Sequence, residues 1–181
     1  MKKLILPLVV VVALVAVLFS GYNGLVRDEE AVNGKWSTVE TQLQRRSDLI
    51  PNLVATVKGY AAQETAIYTA LADARAKLAG AGNIAETEEA QADMNDAISR
   101  LLVIVENYPE LKSNTNFLAL QDELAGTENR IATARTDYNE AVQTYNTKIK
   151  SLPTALYAGL LGFSPKDYFE ADENGNPNVE F

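Results

Sequence analysis

Gln42-Leu43-Gln44-Arg45-Arg46-Ser47-Asp48-Leu49-Ile50-Pro51-Asn52-Leu53-Val54-Ala55-Thr56-Val57-Lys58-Gly59-Tyr60-Ala61 decides how the chain folds. Its apolar residues Leu43, Ile50, Leu53, Val57 and Tyr60 recur at helical spacing, so they line one face of an α-helix. Arg45, Arg46, Asp48 and Pro51 interrupt this seam where a chain would change direction. Proline has no N–H to donate and suits the first turn of a helix. Asp48 is placed to cap such a helix. The expectation is a tight reversal between Arg46 and Asp48, with a single kinked helix as the alternative that the continuous periodicity leaves open.

The seam extends in both directions. Upstream it takes in Leu25, Val32, Trp36 and Val39, with Asn33-Gly34 as a weak spot costing about 1 kcal/mol at the glycine. Downstream it runs through Ile67, Leu71 and Leu78 to Ala79-Gly80-Ala81-Gly82-Asn83, where glycines suit a helix end and a loop. Asn83 followed by Glu86 resembles a capping box. A third helix carries Met94, Ile98, Leu101, Val105 and Tyr108 and ends at Pro109. After a polar connection over 110–116 comes the longest seam: Phe117, Leu120, Leu124, Ile131, Tyr138, Val142, Tyr145 and Ile149. Pro153 stops it, and residues 155–163 add a short apolar element. Amphipathic segments, short connections and no strand-like alternation predict an all-α fold, an up-and-down antiparallel four-helix bundle.

Before the bundle, Lys2 and Lys3 precede an apolar run over 4–19 that only Pro7 breaks. It reads as a secretory signal or an anchor. Leu18 stands where cleavage prefers a small residue, which favours an uncleaved anchor: a single transmembrane helix holding the lipid bilayer through residues 4–20. The basic residues beside it bias the N-terminus inward, placing the bundle on the outer, periplasmic or extracellular, side of a bacterial cell membrane. The expected organisation is an anchor over 1–21, a helical bundle over 22–163 and an acidic, mobile tail over 164–181.

Composition excludes more than it assigns. The 181 residues are 47% hydrophobic and 22% charged, as in an ordinary globular chain. There is no His and no Cys, which removes the common zinc ligands, thiol nucleophiles and imidazole bases. A net charge of −8 without clustered Lys or Arg argues against nucleic acid as a partner. The acidic runs Glu88-Glu89 and Asp28-Glu29-Glu30 place neighbours on different helix faces and read as solvated surface. Trp36, Tyr60, Tyr138 and Tyr145 read as core by their seam spacing. No catalytic residue, metal ligand or cofactor is expected. Arg45, Arg46, Asp48, Asn52 and Lys112 are the candidate partner-binding residues, on a polar end surface that the reversal near Asp48 would share with the connection after Tyr108.

Tyr22-Asn23-Gly24-Leu25-Val26, then Arg45-Arg46-Ser47-Asp48-Leu49-Ile50-Pro51-Asn52-Leu53-Val54 and Val57-Lys58-Gly59-Tyr60-Ala61, resemble the LemA family. So do Glu106-Asn107-Tyr108-Pro109-Glu110-Leu111-Lys112, Phe117-Leu118-Ala119-Leu120-Gln121, Thr127-Glu128-Asn129-Arg130-Ile131, Tyr138-Asn139, Tyr145-Asn146, Gly162-Phe163 and Tyr168-Phe169-Glu170. The likeness spans roughly 20–170. Gln63 departs from it where many relatives carry His. The resemblance implies a single-pass bacterial membrane protein with an antiparallel helical bundle and no agreed reaction. Some LemA-like proteins are linked to the shaping of intracellular membranes, and others are encoded beside membrane proteases.

The expected function is therefore that of a membrane-anchored, non-catalytic scaffold that self-associates as a homo-oligomer or organises partners, including membrane shape, at the bilayer surface. The alternative is an adaptor of a membrane-bound protease, with a membrane protein as its partner.

Overall fold

The structure, a computed structural model, describes residues 2–170, apart from the side chains of 2–7, 10, 11, 13 and 14. The expected anchor lies partly outside the described residues, as does the end of the expected tail, 171–181. The described chain is all-helical: α1 (Lys2–Lys58), α2 (Thr65–Gly80), α3 (Ile84–Val105), the single turn α4 (Pro109–Lys112), α5 (Thr115–Lys150) and two 3-10 turns, Thr154–Leu156 and Gly159–Leu161. No helix among the described residues is long and apolar enough to cross a membrane.

Of the two readings of the opening stretch, the single helix is the one found, and the reversal between Arg46 and Asp48 is not. Helix α1 passes through Gly34, Asp48 and Pro51 without a break, so Asp48 is an exposed mid-helix residue and caps nothing. Pro51 deprives the Ser47 carbonyl of its usual intrahelical donor, a loss of roughly 3 kcal/mol in an isolated helix. Burial of Ile50, Leu53 and Val57, each 2% exposed or less, works against that loss. The reversal comes instead after Lys58, where Gly59 follows and Tyr60 and Ala61 both donate their N–H to the Val57 carbonyl. Tyr60 thereby leaves the helical face it was assigned to and is 40% exposed. The buried tyrosine is Tyr68, because α2 restarts the helical phase at Thr65.

The chain divides into two compact units. One comprises Thr41–Thr133 and Tyr168–Phe181. Its core joins Ile50, Leu53 and Val57 of α1 to Tyr68, Leu71 and Ala74 of α2, Met94, Ile98, Leu101 and Val105 of α3, Leu111 of α4, and Phe117 and Leu124 of α5. The caps are local. Asn83 accepts a hydrogen bond from the Glu86 N–H at 2.9 Å, while the Glu86 carboxylate accepts from the Gly82 N–H at 2.7 Å, one residue earlier than a standard capping box requires. Asn114 caps α5 by accepting from the N–H groups of Asn116 and Phe117. Asn83→Ala is expected to cost about 1 kcal/mol in a urea titration, with Asn83→Ser recovering most of it. An unchanged midpoint for the alanine variant would show that the cap contributes nothing.

The other unit comprises Met1–Glu40 and Ala134–Asp167. Leu25, Val32 and Val39 of α1 are buried, as are Tyr138, Val142, Tyr145 and Ile149 of α5. Trp36 meets Tyr138 edge-on at 5.7 Å, and Tyr22 meets Phe163 at 5.6 Å. Ion pairs flank the seam: Lys35 with Asp137, Lys148 with Asp28, and Lys166 with Glu29. Residues 164–167, expected in the tail, are fastened here, since Asn146 both donates to the Lys166 carbonyl and accepts from its N–H. In the first unit Phe169 is buried at 3% exposure, and the Glu170 N–H donates to Glu88.

Candidate functional site: the groove beside α1 and α2

Successive residues on a helix point about 100° apart, so the polar run at the centre of α1 divides between its neighbours. Arg45 pairs with Glu123 of α5 at 2.7 Å and is 55% exposed. Arg46 pairs with Glu128 of α5, and its side chain is only 7% exposed. On the other side, Ser47 accepts a hydrogen bond from Arg75 Nε of α2 at 3.3 Å. Asp48 accepts from Gln44 at 2.8 Å and lies 3.8 Å from the Arg75 guanidinium. Asn52 is exposed, and Lys112 pairs with Glu106. These residues do not form one end surface. Arg45 lies thirteen positions before Lys58, about 20 Å along the helix axis. The two connections do meet: Asn114 donates to the Tyr60 hydroxyl at 3.1 Å.

What the stretch builds with α2 is a groove of about 530 Å³. Ile50, Pro51 and Val54 of α1 and Tyr68, Ala72, Ala76 and Ala79 of α2 line it with apolar surface, and Gln44, Ser47, Lys58 and Arg75 supply its polar edge. The Tyr68 hydroxyl donates to the Ala61 carbonyl at 2.8 Å, and the Lys58 ammonium stands 5.0 Å above the Tyr68 ring. Burial, then the Glu64 carboxylate, then Tyr108 push the Tyr68 hydroxyl above its ordinary value, so it stays a neutral donor. The groove holds no nucleophile beside a base. Among the described residues no cluster of acids could hold a metal ion. The groove therefore presents apolar surface with a cationic edge, the chemistry of a binding surface.

None of the residues singled out from the sequence, Arg45, Arg46, Asp48, Asn52 and Lys112, lines this groove, and Tyr68 and Arg75, which do, were not singled out. The one available signal was Arg75 itself, a lone cation within Ala72-Asp73-Ala74-Arg75-Ala76. Glu123 and Glu128, the partners of the two arginines, carried no signal, because acidic residues are common on every exposed helix face.

Comparison with known proteins agrees with the motifs. Two magnetosome proteins, MamQ 2 and MamQ 1 of Paramagnetospirillum magneticum, are each 30% identical to this chain over 202 aligned positions, covering 97% of it and 74% of their own length. The magnetosome protein MamQ of Magnetospirillum gryphiswaldense is 28% identical, covering 93% of this chain and 71% of its own. Protein LemA of Metamycoplasma hominis is 23% identical over 87% of this chain and 73% of its own. The model of the LemA family matches residues 35–181, which include the groove and both arginine pairs. On this match and these identities, the chain belongs to the LemA family.

Proposed function

We propose that this protein is a membrane-anchored, non-catalytic scaffold: an up-and-down helical bundle carried by a single helix in a bacterial cell membrane, facing outward and self-associating or gathering partners there. The observation that carries this reading is α1. An apolar run with Val9, Val12, Val17, Leu18 and Phe19 at least 46% exposed continues without a break into the helix that builds the groove. Side chains of this kind need an apolar solvent. Residues 4–20 of α1 are roughly 26 Å long, a little short of the ~30 Å of a bilayer core, and Tyr22 stands where such a run would meet the interface. Relatives named as magnetosome proteins support work at a membrane. The groove, with Asp48 exposed near Arg75 at its edge and Asn52 exposed on the same helix, is the proposed partner surface, while Arg45, on the α5 side, and Lys112 are separate exposed cations.

The test uses the absence of native cysteine. Val103, 69% exposed on α3, is replaced by cysteine and the full chain is expressed in bacterial membranes. The expected result is retention in the membrane after alkaline carbonate washing, labelling by an impermeant thiol reagent without lysis of the inner membrane, and a detergent-extracted mass above that of the monomer. Extraction by carbonate would overturn the anchor, labelling only after lysis would overturn the orientation, and a monomer without co-purifying protein would overturn the scaffold.

A further inference from the structure

The segment 151–164, Ser151-Leu152-Pro153-Thr154-Ala155-Leu156-Tyr157-Ala158-Gly159-Leu160-Leu161-Gly162-Phe163-Ser164, contains no charged residue and is flanked by Lys148, Lys150 and Lys166. Leu152, Leu156, Leu160 and Leu161 are 76%, 72%, 89% and 48% exposed. Large aliphatic side chains this exposed, so close together, have no role in the core of the unit that carries them. That core takes Ala158 and Phe163 from the same segment instead.

Its position says what could cover it. The ring of Tyr157 lies directly on Gly21 of α1: a Cβ at Gly21 would stand 1.8 Å from the Tyr157 hydroxyl oxygen. Ala16, Val17, Ser20 and Gly21 share a cavity of about 400 Å³ with Pro153, Thr154 and Tyr157. The exposed leucines are thus held beside the last turns of the apolar run of α1. The backbone is suited to the same surroundings. The N–H groups of Ala155, Leu156, Tyr157, Ala158, Leu161, Gly162 and Phe163 donate to carbonyls within the segment, which lowers the cost of moving this backbone out of water.

We propose that 152–161 is a second lipid-contacting element, an interfacial wedge whose leucines enter the outer edge of the bilayer beside α1 while the exposed Lys150 meets anionic headgroups, Lys148 and Lys166 being held by Asp28 and Glu29. This rests on the reading of residues 4–20 as the anchor. Proximity to that apolar run, internal backbone pairing and the exposed Lys150 beside the leucines together favour lipid over a second copy of the chain as the occupant. Such a wedge would hold α1 at a set depth and orientation, where a lone helix is free to rotate and tilt.

The full chain is reconstituted in vesicles of phosphatidylethanolamine and phosphatidylglycerol, with a polarity-sensitive fluorophore on one introduced cysteine at a time: Leu156→Cys, Leu160→Cys, Val12→Cys in the apolar run, and Val103→Cys on α3. The expected result is several-fold stronger quenching of the probes at 156 and 160 by lipids brominated near the headgroup than by aqueous iodide. The Val12 probe should respond to deep bromines and the Val103 probe to iodide alone. If 156 and 160 respond to iodide while 12 responds to deep bromines, the wedge is overturned and the anchor stands. If 156 and 160 are shielded from both quenchers, protein covers them and the lipid assignment fails. If 12 responds to iodide as well, anchor and wedge fail together.

Discussion

Arg46→Glu is expected to unfold the helical core at urea concentrations that leave Arg45→Glu folded. The two residues are neighbours of identical chemistry, yet their surroundings differ. The Arg46 side chain is 7% exposed against Glu128, so a glutamate there sets two carboxylates together with little water to screen them. Breaking a buried pair in this way costs roughly 3–5 kcal/mol, a large fraction of the stability of a typical domain. Glu128 is 41% exposed, which puts the expectation at the lower end of that range. Arg45 is 55% exposed, and its partner Glu123 also receives Arg130 at 2.8 Å, so that carboxylate remains paired when Arg45 is reversed. The expected cost there is about 0–1 kcal/mol. Swapping the charges, Arg46→Glu with Glu128→Arg, should recover part of the loss. Equal urea midpoints for the two single variants would refute the distinction. Reversing Arg45 and Arg46 together would be a poor probe of partner binding, because the fold would fail first. Asn52→Asp tests the proposed surface without that confusion.

Tyr145→Ala is the second large effect expected, at about 3–5 kcal/mol, the range for removing a buried aromatic ring. Tyr145 is fully buried at 0% exposure, with the Lys166 ammonium 5.9 Å from its ring and its hydroxyl 3.5 Å from Glu29. Tyr145→Phe should be mild near neutral pH, because a contact that long contributes little. The two variants separate again in alkali. Burial first, then the charge of Glu29, then the contact with its carboxylate, push the Tyr145 hydroxyl from 10.0 up to about 12. The folded chain therefore keeps a proton that the unfolded chain gives up near pH 10. The resulting stability is fully present below pH 10 and is lost as pH rises towards 12. The loss is on the order of 2–3 kcal/mol. Tyr138, raised by burial and then by Asp167, adds to it in the same direction. Urea midpoints followed upward from pH 9 should fall less steeply for Tyr145→Phe than for the parent chain. Parallel curves would show that another group drives alkaline unfolding.

Much of this architecture is local in origin and so could be read from the chain. The α5 seam from Phe117 to Ile149 is buried nearly as its spacing requires, because helical periodicity depends only on neighbours three and four positions away. The same holds for Met94, Ile98, Leu101 and Val105 of α3. Asn83 caps α3 because the free N–H groups of a first turn are always within reach of the residue before them. Family membership rested on ordered motifs, and the absence of His and Cys excluded several chemistries without reference to any fold.

What the sequence left open was decided where a local cost met a distant gain. Pro51 looks like a helix start because its penalty is local, while the burial of Ile50, Leu53 and Val57 that opposes it comes from α2, α3 and α5. Tyr60 and Tyr68 exchange places because the helical phase restarts at Thr65, a shift that periodicity within either helix does not report. Arg45 and Arg46 are indistinguishable as letters. The turn of one helix and the placement of Glu123 and Glu128 on another make the first a surface cation and the second a buried one. The groove, too, exists only because α2 lays its alanines and Arg75 beside Ser47 and Pro51, a juxtaposition across a reversal that no spacing along the chain encodes.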